Sequence, residues 1–416
     1  MLLYPFLAMF LAVTAMPLCI RLARRYGLLD APDAQRKMHA DAVPFTGGYA
    51  IIIAFTLTFA GIWLLEGENF FTRQYQSFAP MYMYIAEATL IIVVLGIVDD
   101  LRELTYSQKF FFQFIASFLM ILGAIKSSIF PSVFSPETSG VLVNSLGMVV
   151  SLLWLVGTTN AINMIDGMDG LAGATSLISA VSLAAVAFLW GNPVLGIVLL
   201  TLAGAITGFL VFNLPPARVF MGDGGSMFIG FILAFSGWML VDSGPKNFTA
   251  IMVPILILGL PVSDTLLAFF RRIVRGSNPF IPDLEHIHHM LARRTGLSLR
   301  NAVAMLSLIA LAYGIAGVGV AMLPSDYGWV VIAAVFIAKL LLLHSLGYTE
   351  MLTGRKKAAR PAARGGAGID VISFVPANGK NGSNGYHANG NGKSNGNGYH
   401  PAKKSDVKQN PDANAA

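Results

Sequence analysis

Charge is what this chain has least of. Only 12 % of its 416 residues are Asp, Glu, Lys or Arg, while 55 % are apolar; soluble domains carry roughly 25 % charged residues. That balance excludes an ordinary soluble enzyme and points to an integral membrane protein. Cysteine is nearly absent: Cys19 stands alone in the first apolar run, which excludes an intrachain disulfide and a cysteine-based zinc site. Polar groups are also missing from the middles of the apolar runs, Asp264 and Lys339 excepted. A transport path wants polar or broken helices near the midplane, so a transporter or flippase of a lipid-linked or anionic solute is the weaker alternative. A pure scaffold would leave the polar motifs below without a purpose.

A helix crosses a hydrocarbon core about 30 Å thick with about 20 apolar residues. Eleven stretches meet that demand, at about 2–20, 47–65, 82–98, 110–125, 143–160, 171–190, 194–213, 226–242, 248–269, 301–323 and 329–346. The first lacks a basic leader and a small-residue cleavage pattern, and so reads as a span rather than a signal peptide. With the N-terminus outside, the loops at 21–46, 99–109, 161–170, 214–225 and 270–300 share one side and hold 14 Lys and Arg; the opposite loops hold Arg73, Lys126 and Lys246. Cytoplasmic loops carry that excess. The expected fold is therefore all-α, a polytopic integral membrane protein with about 11 transmembrane helices, N-out and C-in. Residues 1–351 form the membrane domain. Residues 352–416 read as a disordered, basic and Asn/Gly-rich cytoplasmic tail, with too few apolar side chains to offset the cost of ordering. Ten Lys and Arg lie beyond Leu352, and as the anchor of the last helix they do not imply nucleic acid.

The carboxylates of the membrane portion collect on the cytoplasmic side. Its first loop brings Arg36, Lys37 and His39 before Gly47-Gly48, a pattern suited to phosphate. VDDLREL follows the third span; Asp99 and Asp100 there can hold Mg²⁺ or share a proton. Lys109 and Gln113, one turn apart, can face the same cavity. In NAINMIDGMDG, Asn160 and Asn163 share a helix face, which Asp166 and Asp169 continue if the helix persists. FMGDGGS sets Asp223 on a Gly-rich turn before a helix that begins near Ser226, where a metal bridging phosphates can bind. The last loop places His286, His288 and His289 within four positions. They cannot share one helical face, so these three alone do not suit a tetrahedral zinc site; among Arg271, Arg272, Arg275, Arg293 and Arg294 they suit a diphosphate.

Asp99-Asp100, NxxNxxDGxDGL from Asn160 to Leu171, FMGDGGS from Phe220 to Ser226 and HIHH from His286 to His289, in this order, resemble the polyprenyl-phosphate N-acetylhexosamine-1-phosphate transferases, which include the MraY and WecA enzymes. The likeness spans about residues 1–346. It implies transfer of a sugar 1-phosphate from a UDP-N-acetylhexosamine to undecaprenyl phosphate at the cytoplasmic face of the bacterial inner membrane, with release of UMP and a need for Mg²⁺ or Mn²⁺. Carried over by motif, Asp223 and Asn163 are the metal ligands. Asp99 and Asp100 deprotonate or orient the acceptor phosphate or support the metal. Asp166 and Asp169, with Asn160, hold nucleotide or metal-bound water; Lys37 and Lys109 contact phosphates; and His286, His288 and His289 bind diphosphate and sugar. HIHH, preceded by Pro282-Asp283 and followed by MLARRTGLS, looks like the WecA and teichoic-acid-initiating branch. UDP-GlcNAc is therefore the expected donor, with UDP-MurNAc-pentapeptide or another UDP-aminosugar as the alternative. A homodimer is not indicated by any decisive GxxxG face, since Gly204 and Gly208 or Gly314 and Gly317 can equally pack within one chain.

Overall fold

The computed structural model describes residues 3–30, 42–67, 79–127, 141–276, 290–291 and 297–348. Lys37, His286, His288, His289 and the 352–416 tail lie outside the described residues. The order is α1 (Leu3–Tyr26), β1 (Leu29–Asp30), β2 (Val43–Pro44), α2 (Gly47–Glu66), α3 (Ala79–Arg102), α4 (Tyr106–Lys126) and α5 (Val141–Ile165), followed by α6 (Leu171–Leu189), α7 (Pro193–Asn213), α8 (Gly222–Ser243), α9 (Phe248–Ile257), α10 (Gly259–Val274), α11 (Leu299–Met322) and α12 (Ser325–Ser345). Among the described residues the only strands are β1 and β2, an antiparallel pair with Leu29 opposite Pro44 and Asp30 opposite Val43. Among the described residues, ten helices are long and apolar enough to cross a membrane. Every one coincides with an expected span.

The eleventh span is the exception. Residues 248–269 were expected to cross as one helix, but the chain turns by 86° between α9 and α10. Pro261 explains the break. It has no N–H to return to the Ile257 carbonyl, which instead accepts a hydrogen bond from Ser179 Oγ at 3.3 Å. Hydropathy alone averages over such a residue and misses the bend.

Helix α8 is the axis of the bundle, packed against α2, α3, α5 and α6. Its apolar window is wholly buried, as expected for a helix apolar on every side. Two tryptophans make polar contacts along that length. Trp154 Nε1 donates to the Ala234 carbonyl at 2.8 Å, and Trp238 Nε1 donates to Ser151 Oγ at 2.9 Å. Helix α12 is the opposite case, burying only Gly328 and Leu343 within its length.

At one end of α8 the backbones nearly touch. A Cβ on Gly48 would lie 2.2 Å from Gly225 Cα, and one on Gly96 would lie 2.3 Å from Gly224 Cα. Glycine is therefore required at both contacts, which draw α2 and α3 onto the first turn of α8. Further along, α2, α3, α8 and the start of α7 line an apolar cavity of about 420 Å³, with residues such as Phe55, Thr89, Phe228 and Phe235 in its wall. The glycine contacts lie between this cavity and the polar cluster.

Candidate active site

The polar cluster is assembled from the ends of four helices. Asp99 and Asp100 close α3, Lys109 opens α4, Asn160 and Asn163 close α5, and Asp223 lies in the first turn of α8. Helix α8 starts at Gly222 rather than near Ser226, so Asp223 is helical. Gly222 has φ +77°, and a side chain there would meet the Phe45 carbonyl at 2.4 Å. Only glycine enters the helix by this route.

Lys109 stands at the centre. Its Nζ forms ion pairs with Asp99 and, at 3.0 Å, with Asp223 Oδ2. Asp223 Oδ1 accepts from Asn163 Nδ2 at 2.8 Å, and the same amide donates to Ser226 Oγ at 2.8 Å. Asp99, whose side chain is inaccessible, also accepts from the Leu104 N–H at 2.9 Å. Lys109 and Asp223 retain 16 % and 42 % side-chain exposure. A ligand can therefore reach this pair, while Asp99 lies behind it.

Asp100 faces another way. Its Oδ1 accepts from the Asp223 N–H at 2.8 Å; its Oδ2 accepts from the Gly224 N–H at 3.2 Å and from the Tyr49 hydroxyl at 2.7 Å. A carboxylate there satisfies orphan donors and meets the positive end of the helix dipole. Tyr49 was missed by sequence reasoning. An aromatic in a membrane helix carries no signal that its hydroxyl meets a carboxylate.

The polar stripe of α5 is shorter than expected. Asn160 sits one turn behind Asn163, where its Nδ2 donates to Gln113 Oε1 at 2.6 Å. The helix stops at Ile165, and the chain turns through Asp166. Burial and the negative charges of Asp223, Asp100 and Asp169 push the Asp166 carboxyl up to about 7. Asp169 does not continue the helical face. Its Oδ2 accepts from the Ala217 N–H at 3.0 Å, bracing the segment that leads into α8. Asn213, also missed, completes the brace: its Oδ1 accepts from the Gly170 N–H at 2.9 Å and its Nδ2 donates to the Val219 carbonyl at 2.8 Å.

Among the described residues, no three His, Cys, Asp or Glu form a metal-binding group by themselves. Mg²⁺ is commonly held by one or two carboxylates together with substrate phosphates and water. Partly exposed Asp223 and its neighbour Asn163 fit that donor set, with Lys109 balancing charge beside them.

Carboxylates, amides and a lysine gathered where membrane helices end define a polytopic membrane protein with a polar, partly open site at one end of its helices. The sequence comparisons narrow this class. A family model described as Glycosyl transferase family 4 matches residues 82–241. A probable undecaprenyl-phosphate N-acetylglucosaminyl 1-phosphate transferase of Bacillus subtilis is 33 % identical over 321 residues, covering 77 % of this chain and 84 % of that protein. Undecaprenyl-phosphate alpha-N-acetylglucosaminyl 1-phosphate transferases of Thermotoga maritima and Salmonella typhi are 30 % and 28 % identical over 275 and 327 residues. These alignments cover 66 % and 76 % of this chain, and 76 % and 83 % of those proteins. The chain belongs to glycosyl transferase family 4.

Proposed function

We propose that this protein transfers N-acetylglucosamine 1-phosphate from UDP-GlcNAc to undecaprenyl phosphate, releasing UMP and beginning a cell-envelope polysaccharide. The observation that carries the proposal is the Asp99–Lys109–Asp223–Asn163 cluster at the ends of membrane helices, in a chain whose relatives bear that activity in their names. The Lys and Arg excess of the flanking loops supports a site facing the cytoplasm of the inner membrane, where the nucleotide sugar is found.

In this reading an oxygen of the acceptor phosphate attacks the sugar-bearing phosphorus of UDP-GlcNAc. The bond from that phosphorus to the bridging oxygen breaks, and its electron pair leaves with UMP. Such a transfer depends on positioning and charge stabilisation. Lys109 draws the acceptor phosphate toward Asp223, and Asp99, behind it, holds the Lys109 ammonium in place. Asn163 orients Asp223, while Asp166 is assigned to the nucleotide by its place in the motif. Mg²⁺, or Mn²⁺, held by Asp223 and Asn163 would neutralise the diphosphate. Lys37, His286, His288 and His289 are assigned to phosphate and sugar by sequence alone.

The test is incubation of the purified protein with undecaprenyl phosphate, Mg²⁺ and, separately, UDP-GlcNAc, UDP-GalNAc and UDP-MurNAc-pentapeptide. UMP release and the mass of the lipid product are followed, with Asp223→Asn as the inactive control. Lipid-linked GlcNAc formed through a diphosphate, from UDP-GlcNAc alone, is expected. Turnover of a different single donor would refute the sugar assignment, and turnover of none would refute the reaction.

A further inference from the structure

Tyr49 reaches the same site from an element that contributes no ligand to it. It follows Gly47 and Gly48, whose N–H groups donate to the Phe220 and Met221 carbonyls at 2.9 and 2.8 Å. The start of α2 is thereby tied to the residues just before Asp223. One turn of α8 is then gripped from two directions, by these backbone bonds before it and by Asp100 at its first N–H groups. Tyr49 Cε1 lies 3.1 Å from where a Gly224 Cβ would stand, so its ring is packed over the turn that its hydroxyl helps to hold.

We infer that Tyr49 is a positioning residue for the divalent cation site: through Asp100 it fixes the peptide of Asp223 and hence the direction of that carboxylate. Three donors fill the two oxygens of Asp100: the Asp223 and Gly224 N–H groups and the Tyr49 hydroxyl. Remove the hydroxyl and Asp100 can swing about its side-chain bonds, because two N–H groups from a single turn do not restrain it from the α2 side. The first turn of α8 then loses its fixed anion. The inference rests on the reading of Asp223 as a metal ligand given above. It adds a residue that touches neither metal nor substrate.

The variant is Tyr49→Phe in the full-length protein, which keeps the ring and removes only the hydroxyl. Two readouts are taken. Mn²⁺ affinity is measured without substrates by electron paramagnetic resonance, and turnover is measured as a function of Mg²⁺ at fixed UDP-GlcNAc. About a tenfold weaker Mn²⁺ affinity is expected, with a matching rise in the Mg²⁺ needed for half-maximal rate. The KM for UDP-GlcNAc at saturating Mg²⁺ should stay within twofold. Asp100→Asn, which preserves shape but weakens the acceptor, should move the same two quantities in the same direction.

Unchanged Mn²⁺ affinity in folded Tyr49→Phe protein would overturn the inference, as would a loss of kcat that excess Mg²⁺ does not restore. If Tyr49→Phe fails to fold, the Asp100→Asn result decides in the same way. Wild-type protein that binds Mn²⁺ identically before and after Asp223→Asn would overturn the metal-site reading itself, separately from any result at Tyr49.

Discussion

Replacing Lys109 with methionine is the most informative single perturbation of this site. The substitution keeps the length of the stem and deletes the charge that joins Asp99 to Asp223. Asp99 is inaccessible, so its carboxylate would lose its cation without gaining water. Breaking a buried pair in this way costs about 3–5 kcal/mol. Asp223, at 42 % exposure, keeps part of its hydration and should add little, because exposed pairs are worth about 0–1 kcal/mol. The expected loss is therefore near the lower end, about 3 kcal/mol. Unfolding of wild type and Lys109→Met is followed in the same detergent, with chelator present and then with Mg²⁺. In chelator the variant should be clearly less stable. Mg²⁺ should stabilise both proteins, by about 2.7 kcal/mol at a hundred times its dissociation constant, and should narrow the difference to the extent that the variant, without the competing lysine charge, binds it more tightly. Equal stability of the two proteins in chelator would refute the reasoning, for it would mean that the carboxylates do not depend on Lys109 for charge balance.

Two further outcomes follow from the same geometry. Gly96→Ala places a methyl group 2.3 Å from Gly224 Cα. Overpacking of this kind costs about 1–3 kcal/mol, and because it pushes the first turn of α8 aside, the specific activity of the folded fraction should fall as well as the unfolding midpoint. The second concerns pH. The Asp166 carboxyl is raised to about 7 from an ordinary 3.8, so between those values the folded state holds a proton that the unfolded state has released. Stability of the metal-free protein should fall as pH rises through this window and level off above it. Asp166→Asn should flatten that fall, which a pH series of unfolding midpoints in chelator would check.

Hydropathy made the spans legible because each apolar run is bounded by charge or by glycine and proline. The limit showed at α9 and α10, where one proline inside an apolar run redirects the chain without lowering its mean hydropathy. Of the motif residues that the structure describes, Asp99, Lys109, Asn163 and Asp223 were legible as a group, since so few polar residues occur in the membrane portion. Their division of labour was not. Asp99 and Asp100 are neighbours in sequence, yet successive helical residues point about 100° apart. One meets Lys109 and the other meets the backbone of α8. Asp169 follows Asn160, Asn163 and Asp166 in a regular spacing, but the spacing has helical meaning only while the helix lasts. Tyr49 and Asn213 act across long sequence separations, through hydrogen bonds that no local pattern encodes.

The enclosure of α8 has a consequence for how the protein meets different membranes. Helices in contact with lipid can tilt to follow a thinner or thicker bilayer, and α12, which buries only Gly328 and Leu343, has the most freedom to do so. Helix α8 has no lipid against it along its apolar length. Changes in bilayer thickness reach Asp223 only after passing through a ring of neighbouring helices, two of which are fastened to its first turn by glycine contacts. The protein can thus be compliant at its rim and stiff at its hub, which lets a site made from four helix ends keep its dimensions while the membrane around it varies.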